Sequence, residues 1–329
     1  MNQRRNALKM LGLSTLPGWL ATSALAQGQQ AFPNKPISMV VPFPPGGVAD
    51  TVGRPVAEAM GRVLGQTMIV ENKGGAGGGI GMAQVARSRA DGYTVLMALS
   101  SVVVLPEADK VLRRTPMFTL DQLRPVARFS ADPTVLVVRA ESPWKTYADF
   151  IKHVKSRPGA ATFGSSGNYG TMHVPMEQLK AATQSFMLHV PYTGAGPAVL
   201  SLLFGQVDAL STGPASVVQQ IRAGKLRALA HWGEGRLPML PDVPSLTELG
   251  VPVTYSQWSG LFVPSATPDA VVNKLREASL AATQDARAIQ AMTSSGSSFQ
   301  YMDAPDFARF VQADAKAMAS VVQRIGRVE

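Results

Sequence analysis

The sequence contains no cysteine, so disulfides, thiolate zinc sites, iron–sulfur clusters and thiol nucleophiles are all excluded. Aromatic residues are few (7%), and charged residues make up only 16% of the 329 residues. Beyond the N-terminal segment, no stretch reaches the roughly 18 uninterrupted apolar residues that indicate a membrane-spanning helix. What remains is a chain with 46% hydrophobic residues, enough for a packed core in two domains of ordinary size.

The basic residues are dispersed, although the formal net charge of the chain is +9. No basic run is longer than a pair such as Arg113-Arg114, and no aromatic residues alternate with a basic stripe. A nucleic-acid surface requires a clustered basic patch. We therefore interpret the charge as solvated surface and predict no nucleic-acid partner.

The first 26 residues have the three parts of a cleavable export signal. Arg4 and Arg5 form a basic start, residues 11–25 are mostly apolar, and Ala24-Leu25-Ala26 provides a small-x-small cleavage site. The run RRNALK at 4–9 resembles a twin-arginine export motif, and a general secretory signal or an uncleaved anchor is the alternative. We predict a signal peptide at 1–26 and a periplasmic mature chain. Loss of the three basic residues in this segment lowers the net charge from +9 to +6.

Short apolar runs alternate with helical periodicity along the chain, which predicts an α/β fold with parallel sheets covered on both faces. The predicted strands lie at 37–43, 67–70, 93–98, 135–138, 162–163, 189–190, 207–210, 226–231 and 254–263. The predicted helices lie at 57–64, 80–90, 147–154, 172–182, 198–204, 217–223, 268–293 and 304–325. In the last helix Phe307, Phe310 and Val311 form an amphipathic face that we expect to dock on a sheet.

Two motifs that would indicate an enzyme are incomplete. The glycine loop GGAGGG at 74–79 follows a strand and precedes a helix, but no frame of it completes G-x-G-x-x-G and no G-K-[S/T] follows. Ser165-Ser166-Gly167 lacks the second glycine of a nucleophile elbow, because position 168 is Asn. A hydrolase that uses Ser166 with His173 as its base remains an alternative, although the chain is predicted not to be an enzyme.

Metal ligands and cofactor motifs are equally sparse. His173 and Glu177 share one helix face at i,i+4 spacing, but neither a third nor a fourth ligand lies nearby in the sequence. We therefore predict neither a metal site nor a cofactor.

Loops rich in small residues follow several of the predicted strands, which is the place where open α/β sheets bind ligands. Glycine, serine and threonine let backbone N–H groups approach an anion, and helix N-termini add partial positive charge. Ordinary tight turns between strands and helices are the alternative interpretation. These loops lie at 44–50, 74–79, 164–171, 193–197 and 211–216.

An ordered series of motifs resembles the tripartite tricarboxylate transporter receptors, the Bug-type extracytoplasmic solute receptors. It covers essentially the whole mature chain and includes His173, Gly194 and Pro197. The motifs are PFPPGGVAD at 42–50, VENKGGAGG at 70–78, DGYT at 91–94, FGSSG at 163–167, HVPY at 189–192, GQV at 205–207, AGKLRALA at 223–230 and LPDVP at 240–244.

This resemblance implies a two-lobed fold like that of periplasmic binding proteins, with the ligand in a cleft between the lobes. The first lobe would comprise residues 32–130 plus 250–329, and the second 131–249. Carried over by position, the ligand-binding residues would be Phe43, Gly46, Gly47, Asp50, Ser165, Ser166, Gly167, His173, Tyr192, Thr193 and Gly194. For Asp50 the alternative is a cap or an ion pair with Arg54.

The resemblance also implies the function. A monomeric receptor would capture a small carboxylate-bearing solute and deliver it by transient contact to tripartite tricarboxylate-type membrane subunits. A solute sensor for a signalling partner is the alternative that keeps the same fold.

Two segments depart from the family pattern. Pro55 predicts that the first helix starts late or kinks, and the apolar segment 100–106 replaces a more polar loop. If that segment lines the cleft, it favours a ligand with an apolar body.

Overall fold

The computed structural model describes residues 32–327, so the predicted signal peptide lies outside the described residues. The strands β1 to β11 are, in chain order, Ile37–Val41, Met68–Asn72, Thr94–Leu99, Leu123–Pro133, Val135–Arg139, Thr162–Ser165, Leu188–Pro191, Ala209–Thr212, Leu226–His231, Ser256–Pro264 and Met302–Asp303. The helices α1 to α10 are Val48–Leu64, Gly79–Ala86, Ser101–Val111, Tyr147–Ser156, His173–Thr183, Ala195–Leu203, Val218–Arg222, Asp269–Ala282, Ala286–Ser295 and Ala304–Ile325.

These strands form two mixed sheets. The first has the order β11-β4-β10-β3-β1-β2, and the second has the order β7-β6-β8-β5-β9. Strand β1 is parallel to β2 and β3, and β6 is parallel to β7 and β8. However, β10 runs antiparallel to β3 and β4, and β5 runs antiparallel to β8 and β9. The predicted parallel pairing is present among β1, β2 and β3 and among β6, β7 and β8. The antiparallel course of β5 and β10 was not predicted, because an apolar run indicates a buried strand but not its direction.

The chain crosses between the sheets twice. Strand β4 of the first sheet is followed directly by β5 of the second, with Thr134 between them, and a longer crossover at 232–255 leads from β9 back to β10. The two crossovers are hydrogen-bonded to each other, since the Trp232 N–H donates to the Thr134 carbonyl at 3.0 Å. The predicted lobe boundaries at 130/131 and 249/250 remain a prediction.

Three local predictions differ from the structure. Strand β4 was missed because Arg124, Arg128 and Asp132 interrupt its apolar pattern. Helix α1 begins at Val48 rather than late and contains Pro55 in its interior. An interior proline costs about 3 kcal/mol, which burial of one whole face of the helix offsets.

The third difference concerns the segment 100–106, which was interpreted as a loop. Most of it belongs to helix α3, which contains Pro106. Of this helix, Val102, Val103 and Val104 are buried. Tertiary packing therefore outweighs the weak helix propensity of a β-branched run.

Helix α10 docks on the first sheet through its aromatic face, as the amphipathic pattern predicts. Phe307 is fully buried, and its ring lies 5.5 Å from that of Trp258 on β10, in an edge-to-face arrangement. Burial of a side chain of this size contributes roughly 1.5–3 kcal/mol. Within residues 32–327, no helix combines the length and the apolar character that a membrane crossing demands.

A buried carboxyl group lies at the end of β4, next to the first crossover. Asp132 is 5% exposed and accepts a hydrogen bond from the Ser297 hydroxyl. Burial raises the pKa of Asp132 to about 6, although the Ser297 hydrogen bond acts to lower it. Because the folded state binds this proton more tightly than the unfolded state, stability is lost as pH rises through about 6.

We expect Asp132→Asn to remove this pH-dependent loss. The stability of the variant relative to the wild type should rise by on the order of 2 kcal/mol between pH 4.5 and pH 7.5. Denaturant unfolding at both pH values measures the difference, with Asp242→Asn on the exposed surface as the control. A wild-type-to-variant difference that is the same at both pH values would contradict the assignment.

Candidate functional site

Five loops at the carboxyl ends of parallel strands meet where the two sheets face each other. We name them together the intersheet seam. They are 42–47 after β1, 73–78 after β2, 166–172 after β6, 192–194 after β7 and 213–217 after β8. The seam is therefore at the strand ends where α/β sheets bind ligands.

The loops of the two sheets are in close backbone contact across this seam. A Cβ at Gly194 would lie only 2.5 Å from Cδ of Pro44, and a Cβ at Gly167 would lie 2.8 Å from the backbone nitrogen of Gly77. Gly167 also has a φ of +113°, which residues with a side chain rarely adopt. Glycine is therefore required at both positions for the loops to approach this closely.

Asp50 organises the loop after β1. Its carboxylate is 5% exposed and accepts hydrogen bonds from Gly46 N at 3.1 Å, from Arg54 at 2.7 Å and from the Asn72 amide at 2.9 Å. Burial acts to raise the pKa of Asp50, but these hydrogen bonds and the Arg54 charge outweigh it, so the pKa is lowered. The alternative interpretation, an ion pair with Arg54, is present in the structure, and Asp50 positions the loop.

The other candidates of the first sheet surround this carboxylate. The Phe43 carbonyl accepts a hydrogen bond from Asn72 at 2.9 Å, and its buried ring lies against Gly78. Gly46 is exposed, whereas Gly47 is buried and precedes the first residue of α1. The positive end of the α1 dipole is therefore at the seam.

Ser165 and Gly167 form a compact hydrogen-bonded turn after β6. The Ser165 hydroxyl lies 2.6 Å from Nε2 of His189, and it accepts a hydrogen bond from Gly167 N at 3.0 Å. Burial lowers the pKa of His189 to about 3, and the nearby charges of His173 and Lys180 act in the same direction. His189 is therefore neutral near pH 7, and its bond to Ser165 stabilises the turn.

His173 fixes the start of α5 and does not contact Ser166 through a hydrogen bond. Its Nδ1 accepts a hydrogen bond from Tyr169 N at 3.1 Å, and its Nε2 lies 3.4 Å from the Glu177 carboxylate. Burial acts to raise the pKa of Glu177, but the interactions with His173 and Lys180 lower it overall. The Ser–His pair of the alternative hydrolase mechanism is not assembled in the described chain.

The last candidates lie in the loop after β7. Tyr192 N donates to the Ser165 carbonyl at 3.0 Å, and the Tyr192 ring covers Gly164. Thr193 is exposed, whereas Gly194 is buried beneath Pro44. The structure thus places all eleven candidates in the seam loops or next to them. Nine are at least partly buried, whereas Gly46 and Thr193 are exposed.

Gln257, a residue that the sequence interpretation missed, joins the two sheets. It is 2% exposed, donates to the Thr171 hydroxyl at 2.7 Å and accepts from Gly213 N at 2.9 Å. Gln257 lies within β10, a mostly buried strand, where no local pattern indicates a functional role.

Seven buried hydroxyl groups have no hydrogen-bond partner within residues 32–327, and those of Thr134, Ser142 and Tyr147 follow the antiparallel strands β4 and β5. The other four lie at the carboxyl ends of β3, β6 and β8. They belong to Ser101, Ser166, Thr212 and Ser216. Of these, only Ser166 was a candidate, although the loop 211–216 had been noted for its small residues. An unpaired buried hydroxyl costs about 1–3 kcal/mol, so these groups are suited to hydrogen-bond an oxygen-rich solute.

Metal ligands do not cluster in the part of the chain that the structure describes. Between Phe32 and Arg327, no group of three or more histidine and acidic side chains is arranged to hold an ion.

Comparison with solved structures shows the same fold. The periplasmic binding protein BugD has 31% sequence identity and a TM-score of 0.85, with 90% of this chain and 99% of BugD covered. MatC from Rhodopseudomonas palustris with bound malate has 30% identity and a TM-score of 0.83, over 88% and 100% of the two chains. Rpa4515 from R. palustris with adipate has 26% identity and a TM-score of 0.83, over 90% and 98%.

The sequence itself matches a family profile described as "Tripartite tricarboxylate transporter family receptor" over residues 52–327. This match begins within α1, and so includes the second sheet, the first sheet except β1, and every loop of the intersheet seam except 42–47. The predicted resemblance and the predicted fold class are confirmed. The chain belongs to the tripartite tricarboxylate transporter receptor family of solute-binding proteins.

Proposed function

We propose that this receptor binds a small dicarboxylate in the intersheet seam, outside the cytoplasm, and delivers it to tripartite tricarboxylate-type membrane subunits. The observation that carries the proposal is the set of four unpaired buried hydroxyls at the strand ends of both sheets. Carboxylate oxygens accept hydrogen bonds only, so they match a site that supplies hydroxyl and backbone donors. Two related structures, those with malate and adipate, contain dicarboxylates.

Donors from each sheet would hold one end of such a ligand. In the first sheet these are Ser101 and the N-terminus of α1, which carries partial positive charge. In the second sheet they are Ser166, Thr212 and Ser216. A dicarboxylate that bridges the sheets would contact both of them only when the seam is closed. It would therefore favour the closed form over an open one.

The hinge of this closure would be the pair of crossovers at Thr134 and 232–255. They are the two covalent connections between the sheets among the described residues, and backbone hydrogen bonds hold them together. The crossovers lie at the same strand ends as the seam, since Val135 of β5 pairs with Thr212 of β8 and Gln257 of β10 bonds Gly213. Rotation about the crossovers would open the seam without breaking either sheet.

Export through the predicted signal peptide, a monomeric state and the absence of catalysis belong to the same proposal. The sensor alternative keeps the ligand and changes only the partner. The hydrolase alternative requires a Ser166–His173 contact, whereas His173 is already bonded to Tyr169 and lies beside Glu177.

Ligand binding is tested with malate, succinate, adipate, aromatic acids and the uncharged diamides of the same skeletons. We expect at least one dicarboxylate to raise the thermal unfolding temperature saturably, and we expect its diamide to leave that temperature unchanged. At about a hundred times the dissociation constant, binding stabilises by roughly 2.7 kcal/mol, a shift of several degrees in thermal unfolding. Equal shifts with acid and diamide would contradict carboxylate recognition, and turnover of any compound would favour the enzyme alternative.

Ser166→Ala should weaken binding of that dicarboxylate by at least about tenfold, since one hydrogen bond to a charged group contributes roughly 1.5–3 kcal/mol. Isothermal titration calorimetry measures the loss, with Ser320→Ala on the exposed face of α10 as the control. An unchanged affinity in Ser166→Ala would remove this residue from the site.

Gly194→Ala should prevent full closure, because its Cβ would collide with Pro44. With the dicarboxylate present, we expect the variant to have a larger radius of gyration than the wild type. We also expect it to bind the dicarboxylate at least about tenfold more weakly than the wild type does, mainly through faster dissociation. Gly235→Ala is the matched control, since a Cβ there meets no atom within 4 Å. Small-angle scattering with and without ligand decides, and identical compaction of both variants would contradict the proposed closure.

A further inference from the structure

A separate cavity of about 450 Å³ lies where the crossovers between the sheets meet helix α10. Its walls include Pro133 at the end of β4, residues 232–234 and 254–255 of the long crossover, Ser256 at the start of β10, and one face of α10. None of the five loops of the intersheet seam lines it. It is therefore a different cavity from the proposed dicarboxylate site.

Aromatic side chains form much of the wall. Trp232, Tyr255, Trp258 and Phe310 all line the cavity, and Trp258 packs edge-to-face on Phe310 at 5.7 Å. The guanidinium of Arg128, a residue that does not itself line the cavity, lies 4.9 Å from the centre of the Phe310 ring. Aromatic faces carry partial negative charge and attract cations, quaternary ammonium groups above all.

The charged groups of the cavity are both carboxylates. Asp314 of α10 accepts a hydrogen bond from Nε1 of Trp258 at 2.7 Å, and Glu234 is exposed at the rim. Neither has an ion-pair partner between residues 32 and 327, and no lysine or arginine lines the cavity. Burial raises the pKa of Asp314, although the hydrogen bond from Trp258 acts to lower it. A cation is the ligand that would compensate this partly buried carboxylate.

Trp232 supplies a hydrogen-bond donor without an acceptor. The residue is fully buried, and its Nε1 has no partner among the described residues. Buried indole N–H groups normally find an acceptor, and leaving one unpaired costs about 1–3 kcal/mol. A ligand with an oxygen a few bonds from its charged nitrogen would satisfy Trp232 and Asp314 together.

We propose that this cavity binds a small organic ammonium compound that also carries a hydrogen-bond acceptor. The aromatic walls bind the alkylated cationic nitrogen, Asp314 compensates its charge, and Trp232 donates to its oxygen. An anionic solute is disfavoured here, because both charged groups that line the cavity are negative. The site is independent of the dicarboxylate proposed for the intersheet seam.

The test uses choline as the probe and its uncharged isostere 3,3-dimethylbutan-1-ol as the matched control ligand. We expect choline to bind the purified full-length chain with one-to-one stoichiometry and a dissociation constant below about 1 mM in calorimetry. The isostere, which has the same shape without the charge, should bind at least about tenfold more weakly. Tryptophan fluorescence should change only with choline, since two tryptophans line the cavity.

Asp314→Asn keeps an acceptor for the Trp258 N–H and removes the charge, so choline binding should fall by about tenfold. Glu141→Gln, a carboxyl whose side chain is 89% exposed, is the control variant and should bind choline normally. If Asp314→Asn does not fold, Glu234→Gln at the rim replaces it, with an expected loss of about twofold to threefold. Equal binding of choline and its isostere, no binding of either, or full choline affinity in the folded Asp314→Asn variant would overturn the proposal.

Discussion

The close approach of loop backbones across the intersheet seam is the constraint on which the functional part of this molecule depends. Pro44 lies directly over Gly194, and Gly77 lies directly over Gly167. At such distances no side chain fits between the loops, so recognition in the proposed site would rely on backbone groups and short hydroxyl side chains. Small, preorganised donors of this kind suit a carboxylate, because they hydrogen-bond it without an opposing charge.

Much of the polar chemistry near the seam supports the loops rather than facing a solute. Asp50 is fully used in holding the loop after β1, and His173 is used in holding the turn before α5. Residues of these types are often interpreted as ligand contacts when only a motif is available. Here their hydrogen bonds hold the glycine and serine backbone in the conformation that the seam requires, which makes them positioning residues.

The two crossovers are the second structural constraint of the fold. Because β4 passes directly into β5 and the long crossover returns from β9 to β10, the sheets are linked at one place only in the described chain. Around this link lie the buried carboxyl group of Asp132 and the aromatic cavity with Asp314. A buried acid without a cationic partner is costly, so Asp132 affects stability more than a surface charge does. The proposed ammonium ligand would compensate the charge of the partly buried Asp314.

The sequence by itself determined the family, the α/β class and the positions of most strands and helices, because these depend on local periodicity and on short motifs of small residues. It also indicated Gly167 and Gly194, where the close approach of the loops leaves no room for a side chain. Only the tertiary structure decided the antiparallel course of β5 and β10, the helical state of residues 101–106, and the bridging role of Gln257. Strand direction, helix formation in a β-branched run and a hydrogen bond between two sheets all depend on partners distant in the sequence, which no local pattern contains.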